Sequence, residues 1–373
     1  MTRFAIAAGG TGGHLFPGLA VAEVLHQAGH EVLLLTSEKQ IDAVATEGRS
    51  EFRVERLPGM GLPRGLSLDS LRFVARFLRG VWNCRSLFRR YRPAAVLGMG
   101  GFTSTAPILA GRLMGLPVFV HESNAIPGKA NRLNARLAGS WLAGFRECVG
   151  RIPSVPCSVT GTPVRRAFLK HPTREAALRG FGLDPGRATV LVMGGSQGAA
   201  GVNLAVMQAA PQLRGLGVAC QFVHITGSVD EAAVRSFYEQ SGIPAWVAPF
   251  HHAMQDAYSA ADVAVARSGA ASLTELAFFG LPSVLIPYPH AAEDHQTFNA
   301  RIFSGAGAAV LVQEREVTGA RLAGELAEIL GENGAAKERR LRMQEACRGL
   351  HTGDAAQRVA GVLLEAVARR SNR

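Results

Sequence analysis

The chain is poor in the residues that hold disulfides and metals. Its 373 residues include only five cysteines (Cys84, Cys148, Cys157, Cys220 and Cys347), an odd number with no C-x-x-C spacing. That pattern argues against a disulfide framework and a zinc site, and a reducing cytoplasm is expected. No apolar run reaches the ~18–20 residues needed to cross a bilayer. The N-terminus enters an apolar strand pattern at once and lacks the basic, apolar and small-residue order of a secretory signal. No Asp-x-Asp pair occurs, nor a G-x-x-x-x-G-K-[ST] phosphate loop. The dinucleotide fingerprint G-x-G-x-x-G fails as well, because its third glycine, counted from Gly10, is Leu15.

Glycine and apolar residues are abundant. With 43 glycines, 47% hydrophobic and 18% charged residues, the chain is a folded globular protein long enough for two domains. Short apolar runs alternate with helix-like segments, the pattern of parallel sheets wrapped by helices. Expected strands in the first half are Phe4–Ala8, Val32–Leu35, Ala95–Met99, Val118–His121 and Ser158–Thr160. In the second half they are Thr189–Met193, Gln221–Ile225, Trp246–Ala248, Val263–Ala266, Ser283–Ile286 and Ala309–Val312. A helix is expected over Gly18–Ala28, with Pro17 opening its first turn. The stretch Arg151–Pro163, with Pro153, Pro156 and Pro163, reads as the link between two lobes.

Each lobe opens on a strand that runs into a glycine-rich turn. The first is Gly9-Gly10-Thr11-Gly12-Gly13-His14 and the second is Gly194-Gly195-Ser196-Gln197-Gly198. Clustered glycines let backbone N–H groups approach a phosphate, and the following helix N-terminus favours negative charge. One such turn is equally a tight connection. Two at matching places favour phosphate or sugar contact, with a ligand in each lobe. In a doubly wound fold the ligand lies beyond the carboxyl ends of the strands, so the expected site is the cleft between the lobes.

His14 ends the first turn where a helix begins, and there the helix dipole favours neutral imidazole. It is either a general base for a hydroxyl or a structural helix-end residue, and the residues alone leave both open. The block Arg267 to Glu275 again opens a helix with small residues. Glu275, about one turn in, is placed either to accept both hydroxyls of a ribose or to complement the helix dipole. The segment Glu293-Asp294-His295-Gln296-Thr297 is dense in groups suited to sugar hydroxyls.

Charge is uneven. Between Arg64 and Arg92 eight arginines stand against one acid, Asp69, so an acidic partner is expected there: nucleic acid, anionic lipid or a phosphorylated substrate. At ~100° per residue, Arg72, Arg76 and Arg79 form one stripe of a helix. Phe73, Val74, Phe77, Leu78, Val81 and Trp82 spread over a wide apolar arc, so Phe73, Phe77 and Trp82 are candidates to contact an anionic membrane interface. A wide core-facing helix with solvated arginines is the alternative. Nucleic acid is disfavoured, since no aromatics interleave with the arginines along an exposed strand.

Six ordered blocks, GGTGGHLFP, HESNAIPGKAN, GTPVRR, GGSQGA, ARSGAASLTELAFFGLP and EDHQTFNA, resemble the MurG family, and the resemblance covers nearly the whole chain. These are the UDP-N-acetylglucosamine:lipid I N-acetylglucosaminyltransferases of bacterial peptidoglycan synthesis. The resemblance implies an α/β GT-B fold of two Rossmann-like doubly wound parallel-sheet domains facing a central cleft. It implies domains at 1–162 and 163–350, with 351–373 a helix packing back on the first. The implied reaction is inverting transfer of GlcNAc to the MurNAc 4-hydroxyl of lipid I, giving lipid II.

By the same resemblance, His14 is the candidate catalytic base and Glu122 the second candidate. Thr11, Gly12, Gly13 and Asn124 reach the sugar and the acceptor diphosphate. Arg165 and Ser196, placed in the C-terminal lobe, meet the donor diphosphate, and uracil contacts the backbone at His251. Ala270, Ala271, Ser272, Leu273, Thr274 and Glu275 line the nucleotide, with Glu275 on the ribose, while His295 and Gln296 read the GlcNAc hydroxyls. No protein-held metal or other cofactor is implied, with dissolved Mg²⁺ left an assisting role. The implied partners are UDP-GlcNAc, lipid I, anionic inner-leaflet lipids and other cell-wall and division proteins, at the cytoplasmic face of the inner membrane.

The chain departs from the family pattern at Ser123, Thr162 and His251-His252-Ala253, which puts in doubt any side-chain role at His251. The same-fold rivals are a glycosyltransferase with another acceptor and a UDP-sugar 2-epimerase. The rival from another class is a non-catalytic nucleotide-sugar-binding scaffold.

Overall fold

The computed structural model describes residues 1–38, 49–58, 68–152, 155–195 and 198–371. It divides into two compact units, Met1–Arg166 with Thr352–Arg373, and Ala167–His351. The first unit is built on β1 (Arg3–Ala7), β2 (Glu31–Ser37), β3 (Arg53–Leu57), β4 (Ala95–Gly98), β5 (Val118–Glu122), β6 (Trp141–Ala143) and β7 (Cys157–Val159). They form one sheet in the order β3-β2-β1-β4-β5-β6-β7, with every pairing parallel. The helices of this unit include α1 (Gly12–Gln27), α2 (Leu68–Tyr91), α3 (Thr105–Leu113) and α4 (Lys129–Ala138).

The inner strands are apolar along their length because helices cover both faces of a parallel sheet, and Phe4 to Ala7 are buried without a break. Strand order reverses between β1 and β4, whose ends pair Ala7 with Gly98. That reversal opens a crevice beyond the strand ends, and both the Gly9–His14 turn and the Gly98–Phe102 segment lie there.

The second unit repeats the scheme with β8 (Ala188–Met193), β9 (Cys220–Ile225), β10 (Ala245–Ala248), β11 (Val263–Ala266), β12 (Ser283–Leu285) and β13 (Ala309–Leu311), in the order β10-β9-β8-β11-β12-β13. All its pairings are parallel too. Its helices are α5 (Arg174–Phe181), α6 (Ala200–Gly215), α7 (Glu231–Ser241), α8 (Met254–Ala260), α9 (Ala270–Phe279), α10 (His295–Gly305), α11 (Gly319–Leu330) and α12 (Gly334–Gly349). Here the reversal falls between β8 and β11, where Met193 pairs with Ala266. The second glycine turn and the Arg267–Gly269 turn therefore share that point.

The chain then returns to the first unit as α13 (Ala355–Ser371). Val359, Ala360 and Leu363 are buried in the same cluster as Phe4, Ile6, Leu15, Leu19 and Leu25. Arg358 Nε donates to the Thr160 carbonyl at 3.0 Å.

Three local expectations are corrected. The first helix begins at Gly12, and Pro17 lies inside it. The proline ring removes one hydrogen bond near the N-terminus, where the helix tolerates the loss. The stretch read as a link includes β7, the edge strand of the first sheet, and the chain passes between the units at Arg166 and Ala167. Strands β3 and β6 had no counterpart among the expected strands. The first is an edge strand, Arg-Val-Glu-Arg-Leu, half polar because one side faces solvent, and the second is only three residues long.

Each unit buries one histidine completely on a strand, His121 on β5 and His224 on β9. His121 Nε2 lies 2.9 Å from the Gly161 carbonyl. His224 joins Tyr238 Oη at 3.1 Å and Asn203 Oδ1 at 3.0 Å. Burial lowers the pKa of both, that of His224 to about 3. Each therefore stays neutral in the fold and charges near pH 6.5 when unfolded. The stability this represents is present above pH 6.5 and is lost as pH falls below it, for His224 down to about 3. For His224 the loss between pH 7 and pH 5 is about 2 kcal/mol. In denaturant titrations at those pH values, His224→Gln is expected to be less stable at pH 7 but to lose less on acidification. An equal loss in parent and variant would overturn this account.

Candidate active site

Thr11 precedes α1 with extended backbone, φ −154° and ψ 155°, and its carbonyl accepts from the N–H groups of His14 and Leu15, each at 3.1 Å. The N–H groups of Gly12 and Gly13 open the helix with no intrahelical acceptor, which suits a phosphate or sugar oxygen. His14 is half-buried and its Nδ1 lies 3.3 Å from Thr11 Oγ1. In the tautomer whose Nδ1–H donates to Thr11 Oγ1, Nε2 is the basic nitrogen.

The imidazole rests on a second glycine pair. Gly100 and Gly101 have φ of +109° and +70°, and a Cβ on either would come within 3.0–3.2 Å of the His14 ring. Only glycine meets both conditions. The turn is held from below: Ser104 Oγ lies 3.2 Å from the Gly100 carbonyl and 2.9 Å from that of Gly101, and Asn134 Nδ2 donates to Ser104 Oγ at 3.2 Å.

Glu122 ends β5 and is almost wholly buried. Its Oε1 accepts from the N–H and Nδ2 of Asn124, both at 2.9 Å. Its Oε2 accepts from Gly128 N–H at 3.1 Å and Asn131 Nδ2 at 2.9 Å. Four donors fold the Ser123–Gly128 loop around one carboxylate, and the Asn124 side chain turns inward onto it.

Arg165, expected in the C-terminal lobe, belongs to the first unit. Its guanidinium stacks 4.6 Å above the Phe16 ring of α1, a cation–π contact.

In the second unit, Ser196 lies outside the described residues. Gly198 has φ +77°, and a Cβ there would meet the Thr226 carbonyl oxygen at 2.3 Å. Thr226 is also held by Asn203 of α6, whose Nδ2 donates to its carbonyl at 2.9 Å and to Asp230 at 2.7 Å.

Across the switch point, Ala271, Ser272 and Thr274 are half-buried at the start of α9. Leu273 is fully buried and Ala270 nearly so, which leaves the backbone of Leu273 as its contribution to any nucleotide contact. The Thr274 hydroxyl donates to the Ala270 carbonyl at 2.8 Å. Glu275 is buried and its Oε2 accepts from Tyr258 Oη at 2.6 Å. The His251 side chain is enclosed by Phe181 and Trp246, with ring centroids 5.4 and 5.1 Å away, and burial lowers its pKa.

Gln296 joins two turns through its side-chain Oε1, which accepts from Tyr288 N–H at 3.0 Å and Ser268 N–H at 3.3 Å. Its Nε2 has no hydrogen bond among the described residues. The preceding Glu293 and Asp294 hold left-handed backbone, φ +53° and +54°, and His295 Nδ1 lies 2.7 Å from the Ala292 carbonyl. Backbone strain of this kind collects at functional loops.

Several residues had no assigned role in the sequence. Arg267 is buried, donates to the carbonyls of Ile286 and Pro287 at 3.1 and 3.0 Å, and pairs with Glu314. It fixes the loop that carries Tyr288. Tyr258, Asn131 and Asn203 are likewise visible only once partners 9 to 27 residues away in sequence are brought to them. The Gly98, Gly100 and Gly101 cluster after β4 was the available signal for the bed of His14.

Helix α2 corrects the membrane-contact set. Phe73 and Phe77 are half-buried, stack on one another at 6.4 Å, and pack on Phe102 at 5.4 and 6.2 Å. The exposed apolar residues are Val74, Leu78 and Trp82, the last 67% exposed. At ~100° per residue these three form a stripe beside the buried face. Arg72, Arg76 and Arg79 are exposed on the other side. Among the described residues no helix is long and apolar enough to cross a membrane. Nor does any group of three or more His, Cys, Asp or Glu there stand ready to hold a metal ion.

Two parallel doubly wound units, each with glycines at its switch point, make up the two-domain GT-B architecture. Residues 4–142 match the glycosyltransferase family 28 N-terminal domain and residues 189–355 its C-terminal domain. A UDP-N-acetylglucosamine–N-acetylmuramyl-(pentapeptide) pyrophosphoryl-undecaprenol N-acetylglucosamine transferase of Geotalea uraniireducens is 38% identical over 341 residues, 89% of this chain and 90% of its own. One of the same name from Anaeromyxobacter sp. Fw109-5 is 36% identical and covers 99% of this chain and 94% of its own. The chain belongs to this transferase family. The crystal structure of Acinetobacter baumannii MurG aligns with a TM-score of 0.76 at 27% identity, covering 98% of this chain and all of its own. A UDP-bound anthocyanidin 3-O-glucosyltransferase shares the fold alone, at a TM-score of 0.71 and 14% identity.

Proposed function

We propose that this protein transfers GlcNAc from UDP-GlcNAc to the MurNAc 4-hydroxyl of lipid I, with inversion at the anomeric carbon, to give lipid II. The observation that carries the reading is whole-length likeness to relatives of that name. Added support is that the resembling blocks GGTGGHLFP, GGSQGA and ARSGAASLTELAFFGLP fall at the two strand-order reversals.

In this mechanism the 4-hydroxyl oxygen attacks the anomeric carbon while His14 Nε2 takes its proton. The bond from that carbon to the UDP phosphate oxygen breaks in the same displacement, and the electron pair leaves with UDP. The first turns of α6 and α9, Ser196 and Arg165 stabilise the departing diphosphate, with dissolved Mg²⁺ as a further counter-ion. Glu275, oriented by Tyr258, binds the ribose. Ala270 to Thr274 lie along the nucleotide, the His251 backbone meets uracil, and His295 with Gln296 Nε2 reads the sugar hydroxyls. Thr11, Gly12, Gly13 and Asn124 reach the sugar and the acceptor diphosphate. Glu122 shapes the Asn124 loop, since its oxygens are already engaged by four donors. The test is transfer of labelled GlcNAc to a lipid I analogue; a folded protein that binds UDP-GlcNAc and transfers nothing overturns the reading.

The acceptor is membrane-bound, and the proposed contact with anionic lipid on the cytoplasmic side is the Val74–Leu78–Trp82 stripe with its flanking arginines. Replacing the three by serine is expected to weaken sedimentation with phosphatidylglycerol vesicles by about tenfold or more, with melting temperature retained. Undiminished binding would overturn this assignment.

A further inference from the structure

We infer that Phe102 is a positioning residue for His14, seated by Phe73 and Phe77 of α2, so that the helix proposed to lie on the membrane also sets the base. This rests on the function proposed above.

The chain of contacts is short. Phe102 follows Gly101 directly, and the His14 ring lies on the Gly100–Gly101 backbone, within 3.0–3.2 Å of where their Cβ atoms would be. Side chains cannot wedge the two apart because there are none, so a shift of this turn is felt at once by the imidazole. The carbonyls on the far side of the turn are held by Ser104. What holds its C-terminal end is the Phe102 ring, gripped at 5.4 and 6.2 Å by Phe73 and Phe77. Three tilted or stacked aromatics contribute beyond their burial and favour particular angles, which makes the grip orientational as well as apolar.

The position of Phe73 and Phe77 on α2 gives the cluster its meaning. At ~100° per residue they continue the core stripe of Val81, Cys84, Leu87 and Phe88, one side of the helix. The neighbouring stripe is the exposed Val74, Leu78 and Trp82. A single rigid element thus presents one stripe outward and the other to the turn under the base. A base must stand within hydrogen-bond reach of the proton it takes, and a displacement near 1 Å can cost about a hundredfold in rate.

The experiment uses the full-length protein, UDP-GlcNAc and a short-chain water-soluble lipid I analogue. Phe102→Ala and Phe77→Ala are each expected to lower kcat about ten- to thirtyfold with the donor KM within twofold. The acid limb of the kcat/KM profile should move, and Phe102→Tyr should restore most of kcat. Melting curves at the assay temperature correct for any unfolded fraction. The inference is overturned if corrected kcat stays within twofold of the parent in both variants, if the limb does not move, or if Phe102→Tyr is as slow as Phe102→Ala. His14→Ala is run beside them. Loss there with parental kcat at Phe102→Ala removes this inference alone, whereas full activity of His14→Ala removes the catalytic reading beneath it.

Discussion

His14→Ala is expected to lower kcat for GlcNAc transfer by about 10²–10⁴-fold, the usual contribution of a positioned general base. The donor KM should change little, because His14 is none of the proposed donor contacts, which apart from Arg165 are carried by the second unit. Glu122→Gln separates the two candidate bases. It keeps the shape but loses the charge that four donors share, so it is expected to melt earlier and to retain the acid limb of the pH–rate profile. His14→Ala should abolish that limb. If the limb survived in His14→Ala and vanished in Glu122→Gln, the assignment of the base would be reversed.

Gly198→Ala is expected to be strongly damaging to the donor half. Its Cβ would stand 2.3 Å from the Thr226 carbonyl oxygen and 2.8 Å from Gly227 Cα, both backbone atoms, at φ +77°. Left-handed backbone costs alanine about 1 kcal/mol, and relieving the clash requires moving one of two turns, so a total of about 2–4 kcal/mol is expected. Because Thr226 is also tied to Asn203, the strain should pass into the first turn of α6 and raise the donor KM by about tenfold or more. Gly195→Ala is the internal comparison. It has φ +92° but nothing within 4 Å of its added carbon, so only the conformational cost applies. Equal loss in the two variants, by denaturant titration and donor KM, would show that the close approach to Thr226 has no importance.

Much of this architecture was legible because buried parallel strands announce themselves. β1, β4 and β8 are largely apolar runs that lead into glycine within two residues, so these strands and the turns after them came together. β3 was not legible because an edge strand is paired on one side only and keeps Arg53, Glu55 and Arg56 in solvent. On α2 the apolar arc was visible, but its division was not. Spacing tells which residues share a side of a helix, whereas only the partner Phe102 tells that Phe73 and Phe77 are covered and Trp82 is not. The same limit applies to Glu122. A carboxylate beside an asparagine in a polar block reads as reactive, and its saturation appears only when Gly128 and Asn131 fold back to it. Arg165 was placed by its neighbours in sequence; the Phe16 ring decides its unit.

The return of α13 to the first unit has a consequence for biosynthesis. The core that Phe4, Ile6, Leu15 and Leu25 begin is completed by Val359, Ala360 and Leu363, which leave the ribosome only after all of the second unit. At a synthesis rate of about 5–20 residues per second the interval is roughly 10–40 s. Throughout it the nascent first unit carries an open apolar groove, and by its end the inserted unit has every strand of its own sheet. The order of maturation is therefore inverted relative to the order of translation: the unit begun first is finished last, and its unfinished face is what chaperones would meet.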